Sequence, residues 1–348
     1  MAKARVAING FGRIGRNFFR LAYQHPDFEV VAINDLGDPD TLAYLLQYDS
    51  VYGRSPFSVE VVDGALMIDE QRVQFLQERD PKQLPWGDLS IDLVVEATGI
   101  FTSYGASKQH LEAGARRVVI SAPVKDEPAA VGVNGATILM GVNDDILKSC
   151  DITSNASCTT NATSPLIAIL KESVGVQKAV LNTVHAYTAT QSLVDGPSTK
   201  DVRRGRAAAL NIIPSSTGAA VATTKAHTEL AGAFDGIAVR VPVPVGSLVD
   251  VTFLATQPTS VEAVNEALTK AAAAPRWQRL FAVTTEPIVS SDIIGARVGS
   301  IADLSFTKVV DGDLVKVLAW YDNETSYCQT LVEHVRAAVT YSTHAEAS

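Results

Sequence analysis

The chain is short of cysteine, methionine and tryptophan, with three of each among 348 residues. Cys150, Cys158 and Cys328 are too few and too scattered for a disulfide framework. No pair of them has the spacing of a zinc site, so no metal is expected. No run of about 18 uninterrupted apolar residues occurs, so no helical membrane span is expected. The start, Met1-Ala2-Lys3-Ala4-Arg5, leads straight into a strand-like run without the long apolar core of a secretory signal. Positive charge is also scarce: 29 Lys and Arg against 38 Asp and Glu leave a net charge of −9. That balance argues against nonspecific binding to nucleic acid or anionic membrane, while leaving room for a local basic pocket. Nor is there an internal repeat, or a low-complexity tract beyond the alanine run at 271–274. A reducing cytoplasm is the expected location.

What is there is an ordinary globular composition, 47% hydrophobic and 19% charged, on a length that suits two domains. The first informative stretch is Arg5-Val6-Ala7-Ile8-Asn9, a β-rich run that ends at Gly10. It is followed by Gly10-Phe11-Gly12-Arg13-Ile14-Gly15-Arg16 and a helical pattern through Phe18, Phe19, Leu21 and Ala22. A second β-rich run, Val30-Val31-Ala32-Ile33-Asn34, closes on Asp35, 20 positions after Gly15. A glycine turn between strand and helix, with an acid at that distance, has the context of a dinucleotide fingerprint. The glycines allow a tight turn and close backbone approach to a pyrophosphate, which would rest on the helix N-terminus. Asp35 would accept from ribose hydroxyls, and its charge favours NAD over NADP. The plain alternative, a βαβ turn with a capping acid, explains the glycine spacing less well.

Further strand patterns at 58–62, 73–76, 93–96 and 117–120 alternate with helical ones at 41–48 and 107–113. Such alternation predicts a mainly parallel sheet covered on both faces. The first domain is expected to close near Cys150 or Asp151. Beyond it, long β-rich runs at 179–187, 236–256 (with a bend at Gly246) and 314–321 predict a mostly antiparallel sheet. Thr259 with Glu262 reads as a capping box opening a helix at 261–273. A last helix is expected from Glu324 to about Val339, followed by a loose polar tail at 342–348.

Between these halves lies Ser154-Asn155-Ala156-Ser157-Cys158-Thr159-Thr160-Asn161. A cysteine among hydroxyl and amide side chains, just ahead of the apolar run 166–170, suits a thiol at a helix mouth. There the dipole and unpaired N–H groups would lower its pKa. Ser164-Pro165 offers a second possible helix start, which would weaken that argument. Taken alone, the octapeptide fits a reactive cysteine and a polar turn equally. His185 sits in a β-rich run, where a histidine is more often structural than catalytic. Hydroxyls and cations follow it: Thr188, Thr190, Arg203, Arg204, Arg206, Ser215, Ser216, Thr217 and Arg240. Arg240 interrupts Ile237-Ala238-Val239 and Val241-Pro242-Val243, and an arginine within such a run calls for an anion. Arginine forks and threonine hydroxyls suit phosphate.

With these residues together, SNASCTTN, HAYTATQ, NIIPSSTGAA, VRVPVP and WYDNET resemble the phosphorylating glyceraldehyde-3-phosphate dehydrogenase family. INGFGRIGR, the NDL around Asp35 and LLQYDSVYG share the likeness, which runs from about Val6 to Ala338. The resemblance implies a homotetramer of two-domain subunits: a Rossmann-type NAD-binding domain at 1–150 and a catalytic domain with a mostly antiparallel sheet at 151–323. The helix from 324 would pack back on the first domain. It implies NAD as cofactor, with glyceraldehyde 3-phosphate and inorganic phosphate as substrates. Cys158 matches the nucleophile and His185 its base. Thr188, Thr190 and Arg240 match the substrate phosphate site. Ser157, Thr159, Thr217 and Gly218 match the site of the attacking phosphate, with Arg204 assisting. Gly10, Gly12, Arg13, Ile14, Gly15, Asp35, Arg79, Ser121 and Asn323 match cofactor contacts. The loop at 192–206 resembles the segment that reaches a neighbouring subunit's cofactor.

Three departures stand out. Ala162 replaces a second cysteine, the segment 293–300 is unusual, and Thr325-Ser326-Tyr327 replaces Thr-Gly-Tyr. The nearest rival is erythrose-4-phosphate dehydrogenase, which shares the fold and the Cys/His pair but usually departs from HAYTATQ and PSSTGAA. A semialdehyde dehydrogenase would leave the phosphate ligands without purpose. An inactive NAD-binding scaffold would not need the intact Cys158, His185 and anion clusters.

Overall fold

The computed structural model describes residues 3–199 and 201–344, with side chains as far as Tyr341. The chain divides into two compact units, residues 1–156 with 331–348, and residues 157–330.

The first unit is built on a nine-stranded sheet. Its order is Gly135–Thr137, Ile152–Ser154, Arg117–Ile120, Leu93–Glu96, Ala4–Asn9, Phe28–Asn34, Gln71–Leu76, Ala65–Ile68 and Val59–Val62. The neighbouring pairs from the first of these to Gln71–Leu76 are parallel, and the last two are antiparallel. The central strands are apolar in consecutive positions because both faces are covered: Val6, Ala7, Ile8, Leu93, Val94 and Val95 are all fully buried. The helices Arg13–Ala22, Pro39–Gln47 and Tyr104–Glu112 follow parallel strands. Three short strands of this sheet escaped the sequence reading. Ala65–Ile68 pairs with Val59–Val62 through Asp63-Gly64, both at positive φ (48° and 71°), the geometry of a tight hairpin turn. Gly135–Thr137 and Ile152–Ser154 have only three residues each, too few to show a period.

Because Ile152–Ser154 pairs with Arg117–Ile120, the division falls between Ala156 and Ser157 rather than at Cys150 or Asp151. Likewise the last helix, Thr325–His344, runs past Val339, and its residues from Leu331 belong to the first unit. There the buried His334 bonds Thr153 Oγ1 at 2.9 Å and Asn155 Oδ1 at 3.0 Å. The polar tail expected at 342–348 is helical as far as His344, and positions 345–348 lie outside the described residues.

The second unit carries a seven-stranded sheet in the order Ile213–Ser216, Phe234–Val241, Lys178–Ala186, Ser247–Leu254, Leu314–Tyr321, Ser300–Val310 and Phe281–Thr284. Two neighbouring pairs are parallel and the other four antiparallel. The alternating burial of Ser247–Leu254 and Leu314–Tyr321 follows the period of two that marks a sheet with one packed face. Helix Val261–Ala272 is capped by Ser260, whose hydroxyl accepts from Ala263 N, rather than by Thr259 as expected. Thr259 lies one residue too early: its N–H is taken by the Gly312 carbonyl and its hydroxyl has no partner.

Candidate active site

The sulfur of Cys158 opens the helix Cys158–Ser173, which continues through Pro165 without a break. The start is set by Ser157, whose hydroxyl accepts from Thr160 N at 3.1 Å. Ser164, the other candidate cap, is buried and bonds His227 instead. Just upstream, Ala156 holds a left-handed φ of 54°, and its N–H bonds Ser154 Oγ at 3.0 Å. A non-glycine residue there is strained, and such strain gathers where a chain must turn sharply to present a side chain.

His185 comes from the next strand, Lys178–Ala186, and its Nε2 lies 3.4 Å from Cys158 Sγ. Its ring stands edge-on to Tyr321, with centroids 5.8 Å apart. The Tyr321 hydroxyl in turn bonds Thr159 Oγ1 at 2.9 Å and Thr183 Oγ1 at 2.8 Å. Arg240 pairs with His185 across neighbouring strands, and its Nη1 lies 2.7 Å from the ring Nδ1.

This environment differs from the helix-mouth expectation in one respect. Burial pushes the Cys158 thiol above its ordinary pKa, against the lowering pull of Arg240 and of hydrogen bonds from Thr159. Burial, reinforced by the charge of Arg240, pushes His185 down to about 3. The helix dipole was expected to favour thiolate; burial acts the other way on both partners.

The remaining candidates fall into clusters. Thr188 and Thr190 share a hydroxyl–hydroxyl contact of 2.9 Å just after the His185 strand. Arg204 donates to Ser215 Oγ through both Nε (3.0 Å) and Nη2 (2.6 Å). Thr217 Oγ1 accepts from Ala219 N, and Gly218 caps the short helix Ala219–Thr224. Ser157 is half-buried with its hydroxyl on Thr160, whereas the Thr159 hydroxyl is turned inward to Tyr321. Asn323 is buried, and its Oδ1 accepts from Gly246 N (3.1 Å) and Ser247 Oγ (3.0 Å). Ser247 Oγ also accepts from Ala186 N, so Asn323 is tied to the backbone beside His185. Two of the unusual stretches meet here: Ser326 Oγ donates to the Ala296 carbonyl, and Gly295 N donates to Asp322.

In the first unit the turn after Ala4–Asn9 admits only glycine at two places. Gly10 has φ +96°, and a Cβ on it would stand 2.5 Å from Thr98 N. A Cβ on Gly15 would stand 2.1 Å from the Gly10 carbonyl oxygen. Gly12 caps the helix Arg13–Ala22 without a side-chain cap, the open helix start that suits a pyrophosphate. Asp35 follows Phe28–Asn34; its carboxylate accepts from Phe11 N at 2.6 Å and Gly37 N at 2.8 Å, which locks the glycine turn to the second strand. Each of its oxygens keeps a second lone pair for a ribose hydroxyl. Arg13 pairs with Asp49 and lies over the Tyr52 ring, Ile14 is half-buried beside it, Arg79 is exposed beyond Gln71–Leu76, and Ser121 follows Arg117–Ile120 directly. These residues fit a dinucleotide.

Sequence reasoning passed over Tyr321 and Ser247 as site residues. The only signal for Tyr321 was its place in WYDNET, and Ser247 gave none.

Comparison with known proteins agrees with this geometry. Residues 4–104 match the NAD binding domain of glyceraldehyde 3-phosphate dehydrogenase, and residues 157–323 match its C-terminal domain. The chain is 49% identical over 339 residues to glyceraldehyde-3-phosphate dehydrogenase of Mycobacterium tuberculosis, covering 95% of this chain and 97% of that one. It is 47% identical over 331 residues to the enzyme of Geobacillus stearothermophilus, covering 94% and 96%. It is also 47% identical over 332 residues to glyceraldehyde-3-phosphate dehydrogenase 1 of Streptomyces avermitilis, again covering 94% and 96%. On both domains and over nearly its whole length, the chain belongs to the glyceraldehyde-3-phosphate dehydrogenase family.

Proposed function

We propose that this chain catalyses the NAD-dependent oxidation of D-glyceraldehyde 3-phosphate to 1,3-bisphosphoglycerate, with uptake of inorganic phosphate. The observation that carries the reading is the line of thiol, imidazole and guanidinium formed by Cys158, His185 and Arg240. Cys158 Sγ bonds to the aldehyde carbon while its proton passes to His185 Nε2 and on to the carbonyl oxygen, giving a thiohemiacetal. When bound, NAD supplies the two-electron acceptor for the hydrogen on that carbon. His185 Nε2 takes the hydroxyl proton in the same step, and a thioester remains on Cys158. An oxygen of inorganic phosphate then bonds to the acyl carbon as the carbon–sulfur bond breaks. The sulfur recovers the proton held by His185, and the proton of the phosphate goes to solvent.

Thr188, Thr190 and Arg240 hold the phosphate of the substrate. Ser157, Thr159, Thr217, Gly218 and Arg204 receive the attacking phosphate. With the Thr159 hydroxyl on Tyr321, Thr159 contributes its backbone N–H in the first turn of the helix. Gly10, Gly12, Arg13, Ile14, Gly15, Asp35, Arg79 and Ser121 hold NAD, and Asn323, fixed by Gly246 and Ser247, orients the carboxamide. A homotetramer accompanies this reading. Leu193, Val194, Val202, Leu210 and Ile212 are each more than 70% exposed, an apolar surface that suits burial against another copy. The three free cysteines suit a reducing cytoplasm, and among the described residues no helix is long and apolar enough to cross a membrane.

The test is NADH formation from glyceraldehyde 3-phosphate with inorganic phosphate or arsenate present and then omitted, alongside erythrose 4-phosphate. Formation that depends on the added oxyanion and is faster with the triose phosphate is expected. No oxyanion dependence, or preference for the tetrose phosphate, would defeat the assignment. Sedimentation velocity checks the tetramer.

A further inference from the structure

In the first unit the buried side chains of Asn34, Asn9, Glu96, His110 and Trp86 form one chain of hydrogen bonds. Its direction is fixed at both ends by donors that cannot accept. Trp86 Nε1 donates to His110 Nδ1 at 3.0 Å, so the ring proton is on Nε2, which faces Glu96 Oε2 at 3.0 Å. At the other end Glu78 N donates to Asn34 Oδ1 at 2.8 Å. Asn34 Nδ2 then donates to Asn9 Oδ1 at 2.7 Å, and Asn9 Nδ2 to Glu96 Oε2 at 2.6 Å. Asn9 Nδ2 and His110 Nε2 lie 3.4 Å apart because both point at that oxygen. The other oxygen, Oε1, accepts from the backbone N–H of Thr98 at 2.8 Å and from the Thr98 hydroxyl.

Four donors therefore converge on a carboxylate that is 2% exposed. Only an ionised carboxylate accepts all four; an amide would turn its own N–H groups against two of them. Burying a charge opposes folding through its desolvation, so a purely stabilising role explains this acid poorly. What the four bonds join is more telling. The strands Ala4–Asn9 and Leu93–Glu96 are parallel neighbours, and Asn9 leads into the glycine turn as Thr98 leads into Gly99. Ala97 N donates to the Asn9 carbonyl at 2.7 Å, and Ile100 N to Thr98 Oγ1 at 3.0 Å. Gly10 packs so closely on the Thr98 backbone that only glycine fits. Loops at the carboxyl ends of such strands are where a dinucleotide lies.

We infer that Glu96 is a positioning residue for the cofactor: it holds the glycine turn and the loop at Thr98 in one fixed relation, with His110 and Trp86 bracing it from the protein interior. Its lone pairs are all taken by protein donors, so it acts through these two loops and touches no cofactor atom. The inference rests on the reading of the glycine turn as the NAD site.

The experiment uses the full chain and measures NAD dissociation constants by isothermal titration calorimetry, with steady-state kinetics beside them. Glu96→Gln is expected to weaken NAD binding roughly tenfold or more, because two buried donors lose their acceptor. At saturating NAD, kcat and the KM for glyceraldehyde 3-phosphate should stay within about twofold of wild type, as for a loss of cofactor binding alone. A merely structural acid would lower the thermal midpoint and leave NAD affinity as it was. A folded Glu96→Gln protein with wild-type NAD affinity therefore overturns the inference, as does a loss in kcat as large as the loss in affinity. If that variant does not fold, two changes at His110, on the helix Tyr104–Glu112, decide. His110→Gln keeps a donor in the place of Nε2, and His110→Leu has none. Near-normal NAD affinity in the first and weaker affinity in the second is expected; equal affinity in both overturns the inference. Failure of the underlying reading would appear separately, as wild-type protein that binds no NAD. Wild-type binding with an unchanged constant in Glu96→Gln rejects the positioning role alone.

Discussion

The Tyr321 hydroxyl lies 2.9 Å from that of Thr159, which joins the strand Leu314–Tyr321 to the helix one residue after Cys158. The same hydroxyl bonds Thr183, two residues before His185 on the same face of its strand. One phenol thus ties together the two elements that present sulfur and imidazole. Tyr321→Phe keeps the ring against His185 but leaves two buried threonine hydroxyls unpaired. A loss of about 1–3 kcal/mol of unfolding free energy is expected. Denaturant titration of the variant checks it, and an unchanged midpoint would show that the threonines find other partners.

Replacing the reacting groups should separate chemistry from cofactor binding. Cys158→Ser is expected to remove nearly all turnover, and His185→Gln to lower kcat by roughly 10²–10⁴-fold, the usual span for a general base. NAD affinity, measured by fluorescence titration, should change little in either. A Cys158→Ser protein with normal turnover would take the sulfur out of the mechanism.

Two buried histidines give the fold a pH dependence of definite sign. Burial holds His334 down to about 3, and burial with the Arg240 charge holds His185 down to about 3, against an unfolded value of 6.5. Between these values the unfolded chain binds more protons than the folded one, so stability is full above about pH 6.5 and falls as pH drops toward 3. Each histidine contributes a slope of up to about 1.4 kcal/mol per pH unit. Thermal unfolding scanned from pH 7 to pH 4.5 should show this fall. His334→Gln should make it shallower, and an equal slope in that variant would mean that other groups carry the dependence.

Asp35 braces the glycine turn through Phe11 N, and we propose that its charge also bars a ribose phosphate. Asp35→Gly should lower kcat/KM for NAD while raising the ratio of NADP to NAD turnover. An unchanged ratio would mean that cofactor choice is made elsewhere.

The sequence by itself determined the dinucleotide turn, the parallel and antiparallel halves and the residue types of the two clusters proposed to hold anions. These depend on local spacing: a glycine at φ +96°, an acid at the end of the next strand, and runs of period two are all readable over a few neighbouring positions. Tertiary structure alone decided which helix start prevailed, because Ser164 is taken by His227, 63 residues away, leaving Ser157 as the cap. It also decided the direction in which burial shifts Cys158 and His185. Helix position argues locally for thiolate; burial opposes it, while Arg240, which lies 55 residues beyond His185 and reaches it only across paired strands, pulls the Cys158 thiol down and disfavours a charged His185. Burial is a property of the assembled neighbourhood, and no window of sequence contains it.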